Sequence, residues 1–471
     1  MGPVPELEET ATACAQRLRV ADGVLLASHI DADGLTSAAI ASTALERAAV
    51  PHDVVFKKQL DEAEIASLAA REHDTVLFTD FGSGQLDIIS THEQAGDFEP
   101  VVADHHQPAD ATTEYHLNPL LVGIDGASEL SGAGASYVLA RALAETVADG
   151  NRDLAGLAVV GAVGDMQAVD GELVGANRAI VEEGIEADVL AEGTDLALYG
   201  KQTRPLPKLL EYASEVRIPG ISNDQQGAVN FLSGLDVPVR EDGEWRRWVD
   251  LTDDEKQTVT SALLQRALRR GVSAEKAQRL VGTTYTLQSE PRGTELRDAS
   301  EFSTLLNATA RYERADIGLA VCLGDRDGAL ERARQLLADH RRNLSAGLEQ
   351  VKSGGVTRET HLQWFDAGGE IRETIVGIVA GMALGVDGVD PDRPIVAFAR
   401  KNDEETKVSA RGTGPLVGRG LDLSAAMREA AREVGGDGGG HDIAAGATVP
   451  AGKEAAFVET VDAIVGEQLD A

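Results

Sequence analysis

Cysteine, aromatic side chains, lysine and long apolar runs are all scarce in this chain, and each scarcity closes off a class of protein. The two cysteines, Cys14 and Cys322, stand far apart in apolar contexts, which argues against a Cys-based metal site or a disulfide framework and suits a reducing compartment. Aromatic residues make up only 4% of the chain, so phosphate contacts rather than base stacking are expected to dominate any nucleic-acid binding. No apolar run approaches the ~18 residues of a membrane span, and Glu6, Glu8 and Glu9 interrupt any signal-peptide pattern. A cytoplasmic location is therefore expected. Lysine, at about ten residues, is far outnumbered by arginine.

Acid is what the chain has most of. Its formal net charge is −35, and the acids are spread along its whole length rather than gathered in a tail. Dispersed carboxylates with few lysines fit a proteome adapted to high salt, where screening is short-ranged and a charged surface stays solvated. An ordinary acidic protein that avoids nucleic acid would look the same, and charge alone does not separate the two. With 471 residues, 43% of them hydrophobic, the chain can bury two or three cores.

The polar residues that matter sit at the ends of apolar runs. Pro100 to Ala103 has the pattern of a buried strand and ends in Asp104-His105-His106, with Pro108 blocking an immediate helix. Gly23 to Ser28 is a first strand ending in His29-Ile30-Asp31-Ala32-Asp33-Gly34, followed by an Ala-rich helix over Leu35 to Val50. A second strand spans Asp53 to Phe56. Thr75 to Thr79 is a third and delivers Asp80 into a Gly-rich turn. Each end taken alone is as easily a turn, since Asp and Gly form turns well. Three acid-bearing ends on one edge of a parallel sheet are what random turns do not predict, and that edge is where ligands bind in open parallel sheets. Imidazole beside carboxylate suits a transition metal. Asp165, at the end of the apolar helix Leu154 to Val163, is a further candidate acid. Ser131 to Ser136 opens a helix running from about Tyr137 to Val147, and its Gly-rich start could bind phosphate through free N–H groups or simply pack closely against another helix.

Composition changes near residue 190. Residues 200–345 carry Pro205, Pro207, Pro219 and Pro238, and helices are expected over 253–271 and 274–281. Arg266, Arg269 and Arg270 form either a solvated face or a contact with a polyanion. A long helix from Asp327 to Lys352 has the character of a connector, with Ser353-Gly354-Gly355 as a linker. After it, Pro394–Ala399 is a strand with Thr406–Arg411 as its partner, and Asp422 caps a helix to Glu433. The run Gly435 to Gly440, followed by His441, is either a linker or a loop whose amides approach a phosphate, with Arg411 and Arg419 nearby.

In order, His29-x-Asp31-x-Asp33-Gly34, Asp80, Asp104-His105-His106 and Asp165 resemble the motifs of the DHH phosphoesterase superfamily. Gly438-Gly439-Gly440-His441-x-x-Ala444-Ala445-Gly446 resembles the accompanying DHHA1 domain. With Leu306-Asn307-Ala308-x-x-Arg311 between them, the chain resembles an archaeal, haloarchaeal RecJ-like single-strand-specific exonuclease over residues 20–190 and 300–460; the segment 200–300 matches nothing usable. Ala310 stands where the family usually has Gly. The resemblance implies an α/β fold: a DHH catalytic domain over 1–195 with a parallel sheet flanked by helices, a mostly helical insert and connector over 196–352, and an α/β DHHA1 substrate-binding domain over 353–471.

It further implies two Mn²⁺ or Mg²⁺ ions. Asp31 would ligate one and Asp33 the other, Asp80 would bridge, and His105 and Asp165 would complete the second site, with His29 a further candidate ligand. Asp104, His105 and His106 are the implied catalytic group: Asp104 would orient His105, and His106 would face the scissile phosphate. Arg411, Gly438, Gly439, Gly440 and His441 would bind the nucleic-acid backbone, the strand threading between the domains. The expected function is hydrolysis of single-stranded DNA or RNA to mononucleotides in replication, repair or RNA processing. Two alternatives stand beside it: a phosphodiesterase acting on short oligonucleotides or cyclic dinucleotides, and a replisome scaffold binding GINS-type partners. No membrane partner is expected.

Overall fold

The computed structural model of the chain describes residues 2–144, 150–213, 216–386 and 388–470. It divides into two compact units, one up to Arg334 and one from Gln335. In the first, α1 (Glu8–Arg19) leads into β1 (Val24–His29), α2 (Ala32–Arg47), β2 (His52–Lys57), α3 (Glu62–Ala69), β3 (Thr75–Thr79), α4 (Leu86–Ala95), β4 (Glu99–Ala103) and β5 (His116–Leu117). The five strands form one parallel sheet in the order β2-β1-β3-β4-β5.

The central strands are continuous apolar runs because helices cover both of their faces. Leu25, Ala27, Val76, Phe78 and Val102 pack with Ile65 and Leu68 of α3 and Leu86 and Ile89 of α4; Val24, Leu26, Leu77 and Val101, pointing the other way, are equally buried. The strand order reverses direction between β1 and β3. Loops leaving the carboxyl ends of these two strands diverge and open a crevice there.

Three further helices, α5 (Gly132–Ala142), α6 (Ala155–Gly164) and α7 (Gly175–Glu186), complete this layer. Small residues let them close on α2: a Cβ on Gly161 would collide with Ala133, Asp33 and Thr36. Helix α2 starts at Ala32, three residues before the expected Leu35, because Asp31 accepts a hydrogen bond from Gly34 N (3.0 Å) and caps it. Helix α5 starts at Gly132, five residues before the expected Tyr137, with Ser131 as its cap; its expected end at Val147 lies outside the described residues.

Strands β6 (Leu190–Leu196) and, later, β9 (Val281–Leu287) pair antiparallel. Between them lie α8 (Leu206–Glu211), α9 (Gln225–Ser233), the hairpin β7 (Arg240–Glu241) and β8 (Glu244–Trp245), α10 (Asp253–Arg269) and α11 (Ala274–Gln278). This segment has its own core around Leu206, Leu210, Ile218, Trp248 and Leu263. The expectation of a mostly helical insert did not include the β6–β9 pair, whose polar middle residues, exposed in β6 and half-buried in β9, give no apolar run. Arg266 turns inward toward Gly220 O (3.4 Å), while Arg269 and Arg270 remain exposed.

Helices α12 (Ala299–Arg311) and α13 (Ala315–Cys322) follow, and then α14 (Gly328–Gly354), the expected connector. Ser353 and Gly354 belong to its last turn rather than to a linker; Gly355, at φ 72°, ends it.

The second unit holds β10 (Thr357–Arg358), β11 (Gln363–Asp366), α15 (Glu373–Ala383), β12 (Ile395–Arg400), β13 (Glu405–Arg411), α16 (Gly414–Val417), α17 (Leu423–Glu433), β14 (Asp437–Gly440), β15 (Ala444–Pro450) and α18 (Glu454–Asp470). Its sheet runs β10-β11-β12-β13-β15-β14. The glycine run is neither linker nor loop: Asp437–Gly440 is the edge strand, with Gly438 opposite Ala447 and Gly440 opposite Ala445. Asp422 caps α17 through Ala425 N (3.0 Å), as expected.

Candidate metal centre

Every acid at the parallel sheet's carboxyl edge is carried there by the backbone that precedes it. Asp31 and Asp33 do not project side by side from a turn. Asp31 is the cap of α2 and Asp33 lies in its first turn, so the two carboxylates reach different neighbours. Asp31 Oδ2 is 3.1 Å from His29 Nδ1. Asp33 is buried and accepts from Gly132 N (2.7 Å) and Ala133 N (3.0 Å) at the start of α5. The Gly-rich helix start is thus occupied by an internal carboxylate, whose charge the helix N-terminus favours, and it does not offer these amides to a ligand.

Asp80 stands between the two groups. Its backbone is left-handed, with φ 60°, a conformation Asp tolerates better than most residues. One oxygen, Oδ2, lies 3.5 Å from His29 Nδ1, and the other, Oδ1, lies 3.3 Å from His105 Nε2. Gly132 is required at this point, since a Cβ there would sit 2.5 Å from Asp80 Oδ1. Asp165, the C-cap of α6, brings Oδ2 to 3.8 Å from His105 Nε2, and Asp33 Oδ2 lies at the same distance. The donors fall into three overlapping sets: His29, Asp31 and Asp80; Asp33, His105 and Asp165; and Asp80, Asp104, His105 and His106.

His105 is held from behind. Its Nδ1–H donates to Gly126 O (2.6 Å), which leaves Nε2 facing the carboxylates, the nitrogen a metal-binding imidazole presents once its proton is displaced. That Nε2 is buried and has no hydrogen-bond partner. The expected Asp104–His105 ring contact is not the one found. Asp104 is fully buried, and its Oδ1 accepts from His105 N (2.7 Å) and from His106 N (3.2 Å) and Nδ1 (2.8 Å), while Oδ2 accepts from Ser83 N (2.9 Å). Asp104 therefore fixes the turn and the His106 ring; the latter is about half exposed.

Two buried amides that sequence reasoning passed over complete the arrangement. Gln167 Nε2 donates to Asp165 Oδ2 (2.9 Å) and Gly126 O (2.9 Å), and Gln167 Oε1 accepts from Asn177 Nδ2 (2.7 Å). Asn307, within the motif quoted above, accepts from Ala32 N (3.0 Å) and so ties α12 to the first turn of α2. A polar residue two places after a site acid was the available signal for Gln167; nothing local marks Asn177.

The electrostatics are those of a cation site holding protons. Burial opposes the charged form of His29, but hydrogen bonds to Asp31 and Asp80 push its pKa up to about 11. His105 is likewise raised to about 11, burial being outweighed by Asp80 and Asp33. Burial would raise Asp80, yet the two imidazoles hold it well below the carboxylate range. Burial, with Asp80 and Asp165 close by, raises Asp33, and burial also raises Asp165. Asp104 is lowered against its burial by His106. Crowded carboxylates, an orphaned imidazole nitrogen and no thiol make a hard N/O donor set that fits Mn²⁺ or Mg²⁺.

In the second unit the strand register gathers the other expected residues. Arg411 lies opposite Ala444, Gly440 opposite Ala445, and His441 N donates to Ala444 O (2.8 Å), so Arg411, Gly440 and His441 share one end of the sheet. Gly438 and Gly439 lie further along the same edge strand, and His441 is exposed.

Known proteins share both the domains and the architecture. Residues 23–162 match the N-terminal domain of the DHH family, 198–281 the DHH-CID domain and 363–467 the DHHA1 domain. The middle match corrects the expectation that residues 200–300 resemble nothing. An uncharacterized protein of Methanocaldococcus jannaschii is 29% identical over 100% of this chain and 99% of its own. RecJ from Thermus thermophilus, solved in complex with Mn²⁺, superposes with a TM-score of 0.62 at 19% identity over 99% of this chain; the match spans 55% of that longer protein. CDC45 from Entamoeba histolytica superposes with a TM-score of 0.65 at 12% identity over 98% of both chains. No helix among the described residues is long and apolar enough to cross a membrane. The DHH and DHHA1 family models place the chain in a hydrolase class, the metal-dependent phosphoesterases. The chain belongs to the DHH/DHHA1 family and has a RecJ-like fold.

Proposed function

We propose that the protein is a two-metal exonuclease that hydrolyses single-stranded DNA or RNA to mononucleotides. The observation that carries this reading is Asp80, whose two carboxylate oxygens face two different histidines, His29 and His105, each of which belongs to its own group of acids. Asp31 and His29 would hold one ion; Asp33, His105 and Asp165 would hold the other; Asp80 would be shared. Such a pair supplies Lewis acidity at the phosphoryl group and water activated at neutral pH.

The protein's own residues do the rest. Gly126 O holds the Nδ1–H of His105 so that Nε2 faces the site, and Gln167 steers Asp165 toward the same point. Asp104 pins Nδ1 of His106, leaving the half-exposed ring to meet the scissile phosphate. Arg411, His441 and the Gly438–Gly440 strand are assigned to the nucleic-acid backbone, where an arginine and exposed edge amides suit phosphate. The test is incubation of end-labelled single-stranded DNA and RNA in high KCl with Mn²⁺ or with EDTA, beside an Asp104→Ala/His105→Ala variant. Metal-dependent release of mononucleotides by the wild type alone is expected, and the same gels give polarity and sugar preference. No cleavage of either polymer with Mn²⁺ would sink the proposal.

The likeness to the CDC45 fold favours a second reading, a replisome scaffold binding GINS-type partners. Co-purification of partners with an Asp80→Asn variant that cleaves nothing would support it.

A further inference from the structure

We infer that Met166 is a substrate contact, its thioether side chain taking the flat face of a nucleobase beside the scissile phosphate; this rests on the nucleic-acid reading above. Two independent features meet on this residue. Its backbone is left-handed, with φ 57°. It follows α6 where the chain reverses, with Met166 N bonded to Val163 O (3.2 Å) and Gln167 N to Ala162 O (3.1 Å), a helix ending that glycine normally fills. Of the nine non-glycine residues with positive φ among the described residues, six are Asp or Asn, which tolerate it; Ala49, Glu313 and Met166 are the others, and only Met166 has a large apolar side chain. That side chain is also 86% exposed, the most of any large apolar residue among those described. Core burial therefore does not account for a methionine here, and glycine would suit the backbone better. Strain of this kind clusters at ligand contacts.

The position gives the contact its address. Met166 is peptide-bonded to Asp165, so its Cα lies about 3.8 Å from that of a candidate metal ligand. Its loop is firmly held. Gln167 is pinned by the buried hydrogen bonds described above. Val169 and Glu172 bond reciprocally (2.9 and 3.0 Å) across a turn in which Asp170 and Gly171 both have positive φ. Beyond the turn, Thr283 Oγ1 donates to Glu172 and Leu173 N donates to Tyr285 Oη (2.9 and 2.8 Å). A polarisable side chain on a pre-ordered loop is suited to stack on any base without reading its identity.

The test compares wild type, Met166→Gly and Met166→Leu on a labelled single-stranded oligonucleotide and on a small abasic sugar–phosphate diester, which carries no aromatic ring, together with oligonucleotide affinity and Tm. Met166→Gly should weaken KM and affinity for the oligonucleotide about tenfold, a loss several-fold greater than its loss on the small diester. Its Tm should be no lower than that of the wild type, and Met166→Leu should restore most of the affinity. Unchanged oligonucleotide affinity, or equal losses on both substrates, would overturn the inference, the latter because the residue would then be acting through Asp165. A wild type that cleaves the diester but binds no oligonucleotide would overturn the nucleic-acid reading and this inference with it. A wild type that binds the oligonucleotide but cleaves nothing would overturn only the nuclease reading, and the affinity of Met166→Gly would still decide this one.

Discussion

The parallel sheet of the first unit and the mixed sheet of the second each gather polar groups at one end, but they use different materials. In the first, side chains do the work: Asp33, Asp80 and His105 are buried, crowded and aimed at one another, and each is placed by the end of a strand or the start of a helix. In the second, the groups on offer are an exposed imidazole, an arginine and the backbone of a glycine strand. The first edge crowds carboxylates and imidazoles into a cation-type donor set; the second presents mainly backbone and, on the proposed reading, lets a polymer backbone come close. One demands exact side-chain chemistry and the other demands mainly the absence of side chains.

Substitutions should separate the two edges cleanly. The largest effect is expected at Asp80. Asp80→Asn keeps the shape and tolerates the left-handed backbone, but it removes the shared charge, and metal-dependent hydrolysis should fall by about 10³-fold or more with little change in Tm. Next comes pH. Metal binding requires neutral imidazoles, whereas His29 and His105 hold protons up to about pH 11 in the metal-free protein. Apparent Mn²⁺ affinity should therefore rise with pH and weaken as pH falls, by about tenfold per unit for each proton displaced. Calorimetry in two buffers of different ionisation enthalpy counts those protons; a count of zero would refute the proton-filled site.

Smaller again, Gln167→Leu strips Asp165 and Gly126 O of a donor, and Mn²⁺ affinity should drop about 10- to 100-fold while nucleic-acid affinity in the absence of metal is kept. The smallest effects belong to the glycine strand. A Cβ on Gly438 would lie 2.7 Å from Met427 O, whereas one on Gly439 meets nothing within 4 Å. Gly438→Ala should cost about 1–3 kcal/mol of stability and Gly439→Ala less than about 0.5 kcal/mol, by denaturant melts. Equal costs would mean that the strand is not packed on α17 as described.

The same difference governs what the sequence discloses. The first edge was legible because the apolar run ending in an acid is written out again and again, at His29–Asp33, Asp80 and Asp104–His106, and repetition defeats the turn explanation. The partners were harder to see. Asp104 serves His106 rather than the His105 ring because a backbone carbonyl, Gly126 O, already holds His105, and a carbonyl leaves no letter in a sequence. The N–H groups of the Ser131–Ser136 helix start were open to a phosphate on paper; Asp33, a hundred residues away, takes two of them. The glycine run reads as a linker or a phosphate-approaching loop, yet at Gly438 and Gly440 close approach to Met427 O and to β15 leaves no room for a Cβ. The β6–β9 pair, polar through its middle, carried no apolar signal at all.

The left-handed backbone at Asp80 has a consequence for how such a protein can lose its activity over generations. Most residues are penalised there by about 1–2 kcal/mol, so the paths out of catalysis are few. Asparagine and glycine fit the conformation, and asparagine also keeps the shape of the side chain. A lineage that gives up hydrolysis by changing this position but retains the fold, for instance to serve as an assembly platform, is therefore expected to favour one of these two residues here.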